Sequence, residues 1–194
     1  MLITISGMAG SGKSTVAKQL ALKLHAEHIY VGGMRRELAK QKGMTLTQLN
    51  EYAKTHPETD VDVDKKVVLL AKQLEKEGKI VVVEGRPQYH FLPTSIKIYM
   101  KVNVKEAARR VLEDLKDVKK NKERNEGVKK TLKDVEKELV QRDENDALRY
   151  LKYYGIDHRI ESQYDLVVDT TKRTSQEALK VILDFIQQNK KAYK

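Results

Sequence analysis

The residues Gly7-Met8-Ala9-Gly10-Ser11-Gly12-Lys13-Ser14-Thr15 fit the pattern G-x-x-x-x-G-K-[ST]. A phosphate chain carries several negative charges and is held by donors that come close to it. Glycines allow this because they lack Cβ and tolerate positive φ. The turn aims backbone N–H groups inward, and the helix that follows adds its own unpaired N–H groups and dipole. In such a loop Lys13 reaches the β- and γ-phosphates of a nucleotide, and the Ser14 hydroxyl ligates Mg²⁺. The pattern requires a strand before it and a helix after it. Leu2-Ile3-Thr4-Ile5 is apolar and β-branched, while Val16, Leu20, Ala21 and Leu24 recur at helical spacing. The expectation is an α/β fold whose ligand sits at the C-terminal ends of parallel strands.

A chain of 194 residues suffices for one such domain, spanning 1–194. Cys is absent, which removes disulfides and thiolate metal sites. No apolar run reaches membrane-spanning length, and a strand at residue 2 leaves no room for a signal peptide. The expected setting is the cytoplasm, with no membrane partner. The net charge of +10 points either to nucleic acid or to small anions plus a lysine-rich solvated surface. Acidic residues interrupt the internal basic runs Lys119-Lys120-Asn121-Lys122 and Lys129-Lys130, and aromatics are scarce there and in Lys190 to Lys194. The second reading is therefore preferred, and nucleic acid is not expected as a partner.

His28 to Val31 reads as a short strand closed by Gly32-Gly33, with a helix from Met34 to Lys42. Arg36 follows that glycine turn at the top of a strand, where it is either a substrate ligand or an ordinary solvent-facing arginine. Thr45 or Thr47 caps a helix to about Thr55, and Asp60 to Glu77 is amphipathic through Val63, Val67, Leu70 and Leu74. These inserted helices make a flap over a substrate. Ile80 to Val83 is the most apolar β-branched run and reads as a central strand. Glu84 at its tip either takes the place of a Mg²⁺-holding carboxylate beside the phosphate loop, with Arg86 facing the phosphates, or forms an ordinary strand-end ion pair with Arg86; the loop at Gly7 favours the first. Ile96 to Val102 is a further strand, followed by a helix from Val104 to Lys120 carrying Arg109 and Arg110. The charged stretch Lys119 to Gly127 suits the hinge of a lid. A helix from Thr131 to Tyr154 sets Arg142, Asp146 and Arg149 at i, i+4 and i+7, so Asp146 can bridge both arginines, an arrangement that by spacing alone is ordinarily a solvated ion-pair ladder. Tyr164 to Asp169 is the fifth strand, and Ser175 caps a closing helix through Gln187. The histidines form no metal-ligand pattern, and Tyr150, Tyr153 and Tyr154 read as helix-packing residues.

Taken together, ITISGMAGSGKST, GGMRRELAKQKGMTL, VVVEGR, QRDENDALRYLKYYGID and YDLVVDTT resemble the nucleoside monophosphate kinases, above all the compact archaeal-type cytidylate kinases. The likeness runs over most of the chain. It implies a P-loop α/β/α fold with a five-stranded parallel sheet, a monophosphate-binding flap near 34–77 and a lid near 109–149. It also implies transfer of the γ-phosphoryl group of ATP, with Mg²⁺, to CMP or dCMP by a monomer. The family pattern assigns Arg36 to the acceptor phosphate, Arg86 and Arg149 to phosphates at the transfer point, and Arg142 with Asp146 to the acceptor ribose. The transferring group is ringed by Lys13, Arg86, Arg142 and Arg149, while Arg109 packs on the donor adenine. Lys65 or Lys66 stands where relatives place a base-reading arginine, and lysine lacks that planar fork. Pro87-Gln88-Tyr89-His90 also departs from relatives, which often carry Asp after the Gly-Arg. The rival readings are a kinase for AMP or UMP, and an ATP-dependent switch or nucleic-acid-associated protein without an acceptor site.

Overall fold

Alternation along the strands assigns each side chain to a layer. In β1, Leu2–Ser6, Ile3 and Ile5 point to one face of the sheet and Leu2 to the other. In β3, Val81–Glu84, Val82 takes the first face while Val81 and Val83 take the second. Both faces are apolar, so helices must cover both. The structure, a computed structural model, describes residues 1–117 and 131–189. With β2 at Glu27–Tyr30, β4 at Ile96–Lys101 and β5 at Leu166–Asp169, the sheet has five strands in the order β2-β3-β1-β4-β5. Every pairing is parallel. β1 takes the middle, with β3 beside it as an interior strand.

Helices α1 (Lys13–Leu24) and α8 (Ser175–Asn189) cover the first face, where Val16, Leu20 and Ile182 pack on Ile5, Ile98 and Met100. Helix α4 (Glu58–Lys76) covers the second through Val63, Val67 and Ala71. The remaining α-helices among the described residues are α2 (Val31–Gln41), α3 (Leu46–Tyr52), the short α5 (Gln88–Phe91), α6 (Val104–Lys116) and α7 (Leu132–Tyr154). The three-layer P-loop architecture expected from the sequence is present.

Several local expectations change. Gly32 and Gly33 do not stop β2; they form the first turn of α2, which starts at Val31. The Tyr30 ring lies so close that a Cβ at Gly33 would come within 2.7 Å of it, so these glycines serve close approach rather than a break. Leu70 is 42% exposed, and the buried stripe of α4 instead contains Asp60 and Asp64. Thr45 caps α3 with Gln48 in a reciprocal box, and Thr131 caps α7 with Asp134 in the same way. At α8 the cap is Thr174, paired with Glu177, and Ser175 is the first helical residue. The continuation of α6 to Lys120, the charged stretch Lys119 to Gly127 and the basic runs at 129–130 and 190–194 lie outside the described residues.

Candidate active site

A cleft of about 1000 Å³ opens at the C-terminal ends of the strands. Its floor is the loop between β1 and α1, and residues Ala9 to Val16 line it. Gly7 and Met8, at the start of the same loop, do not line the cleft. Gly10 has φ +84°, and a Cβ there would come within 2.7 Å of the Ala107 carbonyl oxygen, so α6 packs directly on the loop. Arg110 of α6 reinforces that seat. Its Nη1 donates to the Gly10 carbonyl at 3.4 Å and its Nη2 to the Thr170 carbonyl at 2.6 Å. The Thr170 hydroxyl in turn lies 3.0 Å from the Ser11 carbonyl oxygen, to which it donates. Thr170 stands just past β5 as the first threonine of the VVDTT motif, and the sequence reading assigned it no site role.

Lys13 is turned back onto its own loop, donating to the Met8 carbonyl at 3.1 Å. Burial, helped by Arg86, Arg142 and Arg36, pulls its ammonium down to about 7, while Glu84 opposes the shift. A site that crowds cations so closely favours an incoming polyanion. Ser14 Oγ donates to Glu84 Oε1 at 2.6 Å, which brings together the two residues expected to hold a metal. Glu84 Oε2 is buried without a hydrogen bond, with His28 Nε2 3.4 Å away. Among the described residues no three His, Cys, Asp or Glu side chains form a metal cluster. A hydroxyl and one carboxylate nonetheless suit Mg²⁺, a hard cation that keeps waters and takes its other oxygens from substrate phosphates.

The far wall is an alternating chain of arginines and aspartates. Arg86, at the tip of β3, donates from Nη1 to Asp146 Oδ2 at 2.7 Å. Arg149 donates from Nη2 to Asp146 Oδ1 at 2.7 Å and from Nε to Asp60 Oδ2 at 2.9 Å. Arg35 donates to the other oxygen of Asp60 and, at 3.1 Å, to Asn50 Oδ1. Burial disfavours the Asp146 charge, but Arg86, Arg149 and Arg142 overcome it and hold the carboxyl far below the usual carboxylate range. Arg142 Nε lies 4.0 Å from Asp146 Oδ2, so Asp146 does join the two arginines of its helix face.

The structure thus gathers Lys13, Ser14, Arg36, Glu84, Arg86, Arg142 and Asp146 on one cleft. Two predicted residues stand off the cleft, and a third lines its rim. Arg149 is 3% exposed and sits behind the wall, between Asp60 and Asp146, because both carboxylates hold it there. Lys65 is exposed and off the cleft, since it follows Asp64 on the outer side of α4. Arg109 stays at the rim, paired with Glu106 and Glu113, while its neighbour Arg110 takes the inner position.

Asp60 and Asp64 are the main omissions of the sequence reading. Asp64 lines the cleft and accepts from Gln88 Nε2 at 2.6 Å and from the Tyr154 hydroxyl at 2.7 Å. Burial raises its carboxyl to about 6 despite these bonds. The departure Pro87-Gln88 therefore has a structural role: it delivers a fully buried amide that orients this carboxylate.

With this geometry in place, comparisons fix the family. A family model described as an AAA domain matches residues 3–138. The cytidylate kinase of Pyrococcus furiosus is 35% identical over 89% of this chain and 81% of its own length. That of Methanocaldococcus jannaschii is 33% identical over 98% of this chain and 100% of its own. The chain belongs to the cytidylate kinase family of nucleoside monophosphate kinases. An S-adenosylmethionine-dependent nucleotide dehydratase of Lacinutrix mariniflava is 31% identical over 96% of this chain but only 36% of its own length. In fold, the kinase resembles shikimate kinase from Acinetobacter baumannii, with TM-score 0.59 at 19% identity over 97% of this chain and 94% of that one. It is thus a P-loop phosphotransferase that uses ATP as phosphoryl donor, and no described helix is long and apolar enough to cross a membrane.

Proposed function

We propose that this kinase transfers the γ-phosphoryl group of Mg·ATP to CMP or dCMP. The relatives' names support cytidylate, and Asp64 is the observation that carries the base assignment. Cytosine presents an exocyclic amino group where uracil presents a carbonyl oxygen. A cleft-lining carboxylate accepts from the amino group and repels the carbonyl. Gln88 and Tyr154 fix both carboxylate oxygens before substrate arrives, which lowers the cost of ordering them on binding. Adenine also carries an amino group, so AMP is the rival acceptor that the width of the pocket has to reject.

Phosphoryl transfer needs positioning and charge neutralisation more than covalent chemistry. Lys13 and the loop N–H groups hold the donor phosphates, and binding of that polyanion recharges the lysine. Arg86 and Arg142 face the transferring group, and Arg36 holds the acceptor phosphate. Arg149 keeps Arg86 in place through their shared partner Asp146. Ser14 and Glu84 hold Mg²⁺, which supplies neutralisation of phosphate charge when bound. Residues 34–77 act as a flap, excluding water that would otherwise take the phosphoryl group, while the lid expected near 109–149 lies partly outside the described residues. One chain supplies both sides of the cleft, which suits a monomer.

The test is a turnover panel with CMP, dCMP, UMP and AMP as acceptors. CMP and dCMP should lead in kcat/KM. UMP or AMP turning over as well as CMP would overturn the base assignment.

A further inference from the structure

Behind Arg86 lies a pair of residues that none of these roles uses. His158 follows the Gly155-Ile156-Asp157 turn at the end of α7 and is completely buried. Its Nε2 lies 3.4 Å from Asp143 Oδ1, and its Nδ1 has no hydrogen-bond partner. The same Asp143 oxygen lies 3.8 Å from Nε of Arg86, a buried atom that also lacks a hydrogen bond. The surroundings hold the imidazole firmly. The Tyr164 hydroxyl donates to the His158 carbonyl at 2.7 Å, and the Tyr150 ring meets the imidazole edge-on at 5.4 Å between centroids.

A buried imidazole with one nitrogen on a carboxylate and the other unpartnered has a defined tautomer: Nε2 carries the proton and Nδ1 does not. The carboxylate so fixed stands beside Nε of the guanidinium, while Asp146 meets Nη1. Asp146 holds one end of Arg86 through Nη1, and Asp143 stands at the other end, beside Nε. Asp146 holds the fork at 2.7 Å and Asp143 stands beside Nε as a fixed charge at 3.8 Å, so two carboxylates bracket a guanidinium that lines the cleft. A planar guanidinium gives its bidentate strength only when its plane is set.

We infer that Asp143 and His158 form a positioning dyad that sets the plane of Arg86 at the phosphoryl-transfer point. The dyad rests on the role proposed above for Arg86. Without the imidazole, the carboxylate rotates or takes up water, and the Arg86 plane is no longer defined. Ground-state binding of either nucleotide depends little on that plane, whereas the in-line transition state depends on it fully.

The experiment is a double-mutant cycle on kcat. His158→Leu and Asp143→Asn should each lower kcat about tenfold, the scale of one hydrogen bond to a charged group. KM for ATP and CMP should stay within about twofold, as expected when only the transition state is affected. His158→Gln, whose amide places a donor near the Nε2 position, should restore most of kcat; this variant also covers the case where the leucine fails to fold. In an Arg86→Lys background the same substitutions should cost almost nothing further, because the plane they set is gone. Losses that add fully to Arg86→Lys overturn the dyad, as does a KM rise that matches the kcat loss. A nitrogen-15 spectrum placing the proton on Nδ1 of His158 also overturns it. A wild type inactive on every monophosphate overturns the role of Arg86 and the dyad together. An active wild type with additive losses overturns the dyad alone.

Discussion

Lys13 shows how a single side chain carries both the function and a cost in stability. Its ammonium titrates near 7 in the folded chain against an ordinary value of 10.5. Below the lower value the lysine is charged in both folded and unfolded chains, and the folded state bears the full cost of burying it. Between the two values only the unfolded chain holds the proton, so stability rises with pH across that window. Lys13→Met removes the titration. In urea melts the wild type should gain on the variant as pH rises from neutral to alkaline, and a constant difference would refute the burial. The same variant should lose phosphoryl transfer by about a hundredfold or more, the scale of removing one donor from a developing charge. Asp64 makes a second prediction at this scale. Its carboxyl is raised to about 6, so acidification through that value turns an acceptor into a donor that matches uracil. The preference for CMP over UMP should fall as pH drops through about 6 in the wild type. Asp64→Asn should show a preference lower by about tenfold at neutral pH and no longer dependent on pH there, the discrimination expected of one hydrogen-bonded pair. An unchanged CMP to UMP ratio in kcat/KM would remove Asp64 from the base site.

At the scale of elements, α7 is the part that ties the two sides of the cleft. Its Arg149 reaches Asp60 and its Tyr154 reaches Asp64, both on α4. Its Tyr153 hydroxyl lies 2.7 Å from the Ala53 carbonyl and 2.9 Å from that of Lys54, at the end of α3. Tyr153→Phe deletes only the last link. Amide exchange over 46–56 should speed up, and KM for the acceptor should rise several-fold, about the worth of one hydrogen bond, while KM for ATP holds. Equal exchange in both proteins would show that α7 does not restrain this segment. These cross-element links also mark where the sequence stops being readable. The phosphate loop, β1 and β3 were legible, because each depends on local spacing or on contiguous apolar residues, whereas the Arg142/Asp146 face reads from spacing alone as a solvated ion-pair ladder and stands out only through the family resemblance. Asp60 and Asp64 were not, because isolated acids on an amphipathic helix normally face water. A signal was there nonetheless: Asp60, Val63, Asp64, Val67 and Ala71 share one helical face, so the acids fall inside the apolar stripe. What makes them tolerable is Arg35, Arg149, Gln88 and Tyr154, which lie on α2, α7 and α5 and come together only in the fold. Gly32 and Gly33 were misread for a related reason. Their use depends on where the Tyr30 ring lies, and helix propensity carries no trace of it.

For the molecule as a whole, the formal charge of +10 is distributed unevenly in its consequences. Lysines on the solvated helix faces interact weakly and are screened by salt. Around the phosphate loop, burial and then the neighbouring arginines bring the Lys13 ammonium down to about 7. A polyanion bound beside these cations should therefore stabilise the whole chain. At one hundred times its Kd, a ligand that binds only the folded state contributes about 2.7 kcal/mol. For a domain of this length that corresponds to a rise in Tm of roughly 5 to 10 °C. ATP at that saturation should give such a rise, larger at low ionic strength, and Lys13→Met should blunt it. A general affinity of the basic surface for nucleic acid would behave differently: single-stranded RNA would stabilise both proteins equally and lose its effect steeply with added salt. Thermal melts of the two proteins with ATP and with RNA, at low and high salt, separate a built anion site from diffuse charge. Equal Tm shifts from ATP in the two proteins would place the useful positive charge on the surface and not around the loop.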